Sequence, residues 1–180
     1  MKRLARHQAA SQGSWELPVF TEQGVFRARY STRGLVALAF PPAPVDAPAS
    51  EGSEVPANVR QWHCCTAQAV EAILRGEAPS DLPPLDWAGH PAFYQRVWKA
   101  LMAIPAGQVR TYAQVARIVG SSKSARAVGQ ACASNPIPLL VPCHRVVRSD
   151  SRPGGFSAGP AWKELLLRLE GSRAAGPGSC

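Results

Sequence analysis

Residues 79–91 read PSDLPPLDWAGHP and carry four prolines in thirteen positions. Proline fixes φ and has no N–H to donate, so neither a helix nor a central strand runs through such a stretch. The chain must therefore be organised around a break near residue 85, with separate elements on each side. A second break, PPAPVDAPASEGSEVPA at 41–57, is rich in Pro, Ala and Ser and reads as a flexible loop. A length of 180 residues suits one domain or two small ones. We expect an N-terminal α/β supporting domain over 1–85, a second domain over 86–171, and a disordered tail over 172–180. The first dozen residues also read as disordered.

Between the breaks the patterns are regular. WELPVFTEQGVFRARYSTRGLVALAF, from Trp15 to Phe40, alternates short apolar runs with turn signals at Gly24 and Arg33-Gly34. It predicts two or three antiparallel strands joined by hairpins. A helix follows from about Asn58 to Gly76, with Val70, Ile73 and Leu74 at helical spacing. After the connector, PAFYQRVWKALMAI opens on Pro91 and sets Phe93, Val97, Leu101 and Ile104 on one helical face. Thr111 can cap TYAQVARIVG, and SSKSARAVGQACAS supplies a second short helix. Two short helices around a Gly-containing turn have the outline of a helix-turn-helix. A last helix spans roughly Pro160 to Glu170, with Leu165, Leu166 and Leu169 facing inward. The fold class is α+β: a small antiparallel sheet with a helix, then a mostly helical half.

Charge separates the two halves. Through Leu85 there are eight Lys/Arg and eight Asp/Glu; from Asp86 onward there are twelve against four. The whole net charge of +8 lies in the C-terminal half. Such a surplus favours a polyanionic partner, nucleic acid first, because Lys and Arg displace phosphate counterions. Arg126, flanked by Ala125, Ala127 and Gly129, projects from a helix whose small residues allow close approach. No run of about 18 apolar residues marks a membrane span, and the basic N-terminus lacks a signal peptide's apolar stretch. A soluble intracellular protein, cytoplasmic or nuclear, is expected. Five cysteines without framework spacing fit a reducing compartment. His63, Cys64 and Cys65 could touch a metal, but three adjacent residues hardly converge on one tetrahedral ion. A partly buried helix start is the preferred reading, with no metal.

One stretch carries chemistry. NPIPLLVPCHRVVRSD places Cys143 directly beside His144 and Arg145, after the apolar run Leu139–Val141. Two readings stand for Cys143. It is a buried structural thiol, or it is a nucleophile whose thiolate form is favoured by cationic or proton-accepting neighbours.

The blocks TYAQVA, ARAVG, NPIPLLVPCHRVV, GGFSAG and KELLLRLEG, in that order, resemble the alkylguanine-DNA alkyltransferases, which repair O6-alkylated guanine. The resemblance covers residues 90–171 closely and the N-terminal half loosely. It implies a winged-helix-like helix-turn-helix and a DNA-binding and alkyl-transfer role for 86–171. It implies that Cys143 accepts the alkyl group, that His144 takes its proton through a bound water, and that Glu170 orients His144. Asn135 would fix the turn between the DNA-binding helix and the reactive segment. Tyr112 would press on a phosphate and help rotate the nucleotide out, and Arg126 would fill the stack. Lys123, Ala127 and Gly129 would lie at the DNA surface. The partner would be double-stranded DNA containing O6-alkylguanine, met by a monomer that needs no cofactor and acts once.

The resemblance also implies a base pocket of Pro138, Val146, Phe156, Ser157 and Ala158. Phe156 stands where many members carry a tyrosine able to protonate the leaving guanine, so altered substrate preference is expected. Ala158 stands where glycine is common and would narrow the pocket. Three other readings compete: a recognition module that does not transfer, a Cys-His-Glu hydrolase, and a transcription factor using only the helix pair. The presence of Cys143 counts against the first. The basic helix pair is idle under the second, and PCHRV is idle under the third.

Overall fold

The computed structural model describes residues 13–41, 54–150 and 154–172. The expectations for 1–12, for 42–53 and for the tail beyond 172 lie outside the described residues. Strands β1 (Trp15–Thr21), β2 (Gly24–Ser31) and β3 (Gly34–Ala39) form one antiparallel sheet in that order. Phe26, Ala28 and Tyr30 alternate along β2 and are wholly buried on one face. A bulge between Arg29 and Tyr30 shifts the pairing from Arg29↔Ala37 to Tyr30↔Leu35. That extra residue explains why β3 buries Leu35 and Leu38, three apart, rather than residues at period two.

Helix α1 (Ala57–Leu74) closes over the buried face through Val59, Val70, Ile73 and Leu74. The hydroxyl of Tyr30 donates to Thr66 Oγ1 at 2.9 Å and lies 3.2 Å from His63 Nδ1. Burial pushes that phenol above its ordinary value, so it stays a donor. His63, Cys64 and Cys65 sit inside this helix rather than at its start, because the helix begins at Ala57, directly after Pro56. Among the described residues no group of three or more ligating side chains converges on a common point.

The proline-rich connector runs along the open edge of β3. Leu35 N donates to Pro84 O, and Asp86 N donates to Leu35 O, both at 2.8 Å. The Ser31 hydroxyl donates to Asp86 Oδ2 at 2.6 Å. The buried cluster is continuous from Trp15 to Leu166 and so crosses the break at residue 85.

Beyond the connector, α2 (Ala92–Met102) follows Pro91 and buries Val97, Trp98 and Leu101. Trp98 is wholly buried, and its Nε1 donates to Ala131 O at 2.8 Å. That bond ties α2 to α4 (Ala125–Ala133). Truncating such a side chain to alanine costs about 3–5 kcal/mol. Strand β4 (Arg110–Thr111) leads into α3 (Tyr112–Ile118), which opens with a full capping box: Gln114 N donates to Thr111 Oγ1, and Thr111 N donates to the Gln114 side chain. After a 3-10 turn (Cys143–Arg145) comes β5 (Val146–Val147), which pairs in parallel with β4. The start of α3 is thereby lashed to the segment that follows Cys143. Helices α3 and α4 stand on either side of Gly120, whose φ is 74°, and the strands beside them are this two-residue parallel pair.

Helix α5 (Pro160–Leu169) completes the core, and here the sequence reading needs correction. Leu166 and Leu167 are buried together with Lys163, while Leu165 and Leu169 are only partly covered. The helix is turned so that Lys163 reaches the interior. None of the described helices is long and apolar enough to cross a membrane.

The end of α1 touches the end of α5 closely. Gly76 has φ 78°, and a Cβ there would land on the Leu169 carbonyl oxygen, one residue before Glu170. Gly89 has φ 82° with open space around it. Gly89→Ala should cost about 1 kcal/mol from backbone strain alone. Gly76→Ala should cost about 2 kcal/mol or more, because rigid backbone must also move. Chemical denaturation of the two variants checks this, and equal costs would remove the packing role assigned to Gly76.

Candidate active site

The sulfur of Cys143 is presented by a stretch that has almost no freedom. Asn135, buried just after α4, donates from Nδ2 to Val141 O at 2.8 Å and to Cys143 Sγ at 3.2 Å. Its Oδ1 accepts from Ile137 N at 3.1 Å. One amide side chain thus clamps both ends of the Pro-Ile-Pro-Leu-Leu loop onto the sulfur. Leu139 within that loop has φ 75°, a left-handed conformation that costs a β-carbon-bearing residue of order 1 kcal/mol or more. Its side chain is buried, so packing offsets the strain. Cys143 itself is buried at 4 % exposure and starts the 3-10 turn. Burial pushes its thiol above the ordinary value, while the Asn135 hydrogen bond and the nearby Lys163 pull the other way. At rest the group is a thiol.

His144 is wholly buried. Its Nε2 lies 2.9 Å from Glu170 Oε1, and its Nδ1 is buried with no protein partner among the described residues. Because a carboxylate can only accept, Nε2 carries the proton and Nδ1 presents a bare lone pair. Burial lowers the imidazole below its usual 6.5, against the opposing pull of Glu170, so the ring is neutral near pH 7. Arg145 supplies the counter-charge. Its Nε donates to both Glu170 oxygens at 3.1 Å, its Nη2 donates to Oε1 at 2.8 Å, and its Nη1 donates to Ile104 O. Burial alone would raise the Glu170 carboxyl, but the hydrogen bonds of His144 and Arg145 overcome it and hold the group down at about 2. The result is an ionised acid in contact with a neutral base that keeps one free nitrogen, on the residue next in sequence to a buried thiol.

Lys163 was not anticipated from the sequence. It is wholly buried, and its Nζ donates to Val146 O at 2.6 Å. Burial lowers its pKa, while interaction with Cys143 and Cys132 raises it. A lysine in WKELLLRLE reads as a surface charge, and only the inward turn of α5 reveals otherwise. Cys132 is a second buried thiol, pushed up to about 12 by burial and then by Cys143. Tyr112 opens α3 with its ring 3.9 Å from the position of a Cβ at Gly129, and its hydroxyl is 3.0 Å from that of a Cβ at Gly154. Burial, followed by Cys132 and Cys143, raises that phenol to about 12.

The other sequence-predicted positions divide into two groups. Lys123, two residues before α4, and Arg126, at its start, are exposed, with Ala127 and Gly129 partly covered along the helix. Pro138, Ser157 and Ala158 line a cavity of about 430 Å³ that also includes Asn135. Val146 is buried in β5, and Phe156 stands edge-on to His144 with ring centroids 6.4 Å apart. Asn135 bonds Cys143, and Glu170 bonds the adjacent His144 and Arg145, while Tyr112 and Arg126 lie on helices α3 and α4.

Comparison with known proteins decides the family. The description "6-O-methylguanine DNA methyltransferase, DNA binding domain" matches residues 92–172. The Homo sapiens methylated-DNA–protein-cysteine methyltransferase is 36% identical over 163 residues, covering 87% of this chain and 75% of that protein. This chain belongs to the methylated-DNA–protein-cysteine methyltransferases. The Mus musculus enzyme of the same name is 44% identical over 122 residues, and the match spans 64% of this chain but 57% of that protein. A crystal structure of Mycobacterium tuberculosis OGT in complex with DNA superposes with a TM-score of 0.69 at 29% identity, covering 87% of this chain and 94% of that one. The methyltransferase likeness therefore extends beyond the matched C-terminal segment into the sheet.

His144 and Glu170, the two ionisable partners, make folding acid-sensitive. The unfolded His144 binds a proton below about 6.5 while the folded ring resists it, so stability is full above that pH and falls below it. The stabilisation from Glu170 is present above its ordinary 4.5 and is lost as the pH falls toward about 2. Urea unfolding between pH 7.5 and 5 should show stability declining, with His144 contributing a slope of up to ~1.4 kcal/mol per pH unit. His144→Gln should flatten that segment, and an unchanged slope would mean that the ring is not held neutral.

Proposed function

We propose that this chain repairs alkylated DNA by direct reversal, moving the alkyl group of O6-alkylguanine onto its own Cys143. The observation that carries this reading is the buried His144, fixed by Glu170 through Nε2 and left with a bare Nδ1, on the residue that directly follows the buried Cys143. A bound water would relay the Cys143 proton to Nδ1, and Glu170 would stabilise the imidazolium that forms. The thiolate then attacks the alkyl carbon in line. An S–C bond forms as the C–O6 bond breaks, its electron pair goes to guanine, and guanine takes up a proton from water, which the His144 imidazolium restores. The product is a thioether, far more inert than the thioesters that cysteine hydrolases turn over. Each molecule acts once and needs no cofactor.

A buried thiol can meet its target only if the base leaves the stack. Extrusion costs a few kcal/mol, less for a lesion that pairs badly, which favours damaged bases. Tyr112 would press on the phosphate, and Arg126 would occupy the gap. The small residues Ala127 and Gly129 would let α4 lie close in the minor groove, and Lys123 would hold the backbone without reading sequence. The region from 86 to 171 would carry both tasks as a winged-helix-like unit, with 1–85 supporting it. Pro138, Val146, Phe156, Ser157 and Ala158 would form the base pocket. The protein would act as a monomer inside the cell, cytoplasmic or nuclear, with DNA. Phe156 supplies a stacking surface without a donor, consistent with a changed substrate preference.

Titration with excess duplex carrying one O6-methylguanine tests the reading. Transfer should stop at one methyl per chain, reside on the peptide containing Cys143, and vanish in Cys143→Ser. Arg126→Ala should slow transfer from duplex by about a hundredfold, corresponding to about 3 kcal/mol, while free O6-benzylguanine reacts at nearly the original rate. Tight binding without transfer by the unaltered chain would overturn the reading in favour of a recognition module.

A further inference from the structure

The cavity of about 430 Å³ is only half built from the C-terminal segment. The rest of its lining is Leu38, Ala39, Phe40 and Pro41, the end of β3 and the residues just after it. A volume of this order is in the range of small-molecule sites and accommodates a purine with its substituent. Asn135 belongs both to the cavity lining and to the Cys143 sulfur, which it meets at 3.2 Å. The space is therefore one side chain removed from the nucleophile.

Two features make this wall rigid rather than incidental. Leu38 N donates to Pro136 O at 2.9 Å, a main-chain bond that joins the two sides of the cavity next to Asn135. Phe40 is then gripped by three rings: Trp162 at 4.8 Å, Phe26 at 5.2 Å and Phe156 at 5.6 Å between centroids. Phe156 in turn meets His144 edge-on. Phe40 is nonetheless only half-buried, so part of its surface is left facing outward from the core. A ring pinned on three sides and open on another sets a fixed boundary, because pinned aromatic packing resists repacking around a larger guest.

We propose that Phe40, with Pro41 beside it, is a specificity-determining residue that limits the size of the O6-alkyl group. The inference rests on the alkyl-transfer reading above and assigns the N-terminal sheet a part in substrate selection. Ala158 and Phe40 both line the cavity. The rigid partner is Phe40, since Ala158 sits on a loop.

The test compares transfer rates from duplexes carrying O6-benzylguanine and O6-methylguanine, using the full chain and its Phe40→Ala and Phe40→Leu variants. Trimming the ring should raise the benzyl-to-methyl rate ratio about tenfold in Phe40→Ala, the scale on which a few carbon atoms alter pocket discrimination, and by less in Phe40→Leu. A ratio is insensitive to the fraction of chain that folds, and Phe40→Leu retains most of the apolar volume should Phe40→Ala fail to fold. A ratio that stays at the original value in the folded variants would overturn the role of Phe40 while leaving the reaction intact. Failure of the unaltered chain to transfer methyl at all would instead overturn the reading on which the inference depends.

Discussion

A single carboxylate, that of Glu170, holds this molecule's chemistry in register. It accepts from His144 on one side and from Arg145 on the other, and burial makes both bonds strong. Without Arg145 the carboxylate would be buried next to a neutral imidazole with no counter-charge, and it would take up a proton. Its ionised state fixes the tautomer of His144, and the tautomer decides which nitrogen can accept a proton. Arg145 also reaches Ile104 O at the end of α2, while Gly76 at the end of α1 leaves no slack behind Leu169. Three helices thus converge on one charge.

The sulfur is governed by a different balance. Cys143 has two side chains that favour its anion, the Asn135 amide and Lys163, with a backbone hydrogen bond acting the same way, yet desolvation outweighs them all. The burial that suppresses the resting thiolate also strips water from it once formed, and a poorly hydrated anion is a stronger nucleophile. Lys163 is itself buried against its preference, anchored to Val146 O in the strand that follows the reactive turn. The site therefore combines an ionised Glu170–Arg145 pair with a thiol and an imidazole that are both neutral at rest.

Much of the architecture was legible in the sequence because it follows from local rules. The spacing of Val70, Ile73 and Leu74 and of Val97, Leu101 and Ile104 marked two helices, and Thr111 marked the cap of a third. The contiguity of Asn135, Cys143, His144 and Glu170 was implied by a resemblance in motifs, since residues 26 apart in sequence cannot be joined by periodicity. What escaped was everything that depends on tertiary placement. Lys163 reads as a solvated charge until α5 is seen to turn it inward. The connector at 79–91 reads as a spacer, yet it hydrogen-bonds along β3. Phe40 precedes a proline-rich loop and gives no sign of the cavity it borders. The bulge at Arg29 and Tyr30 likewise leaves no local signature.

Proton removal from Cys143 requires His144 to be a neutral base with a bare Nδ1, and nitrogen-15 NMR of the imidazole ring reports that state directly. The Nε2–H tautomer should dominate at pH 7, with Nδ1 unprotonated, and the ring should still be neutral well below its ordinary 6.5. A ring protonated at Nδ1 or already cationic at pH 7 would contradict the account, because no acceptor would then remain for the proton of Cys143.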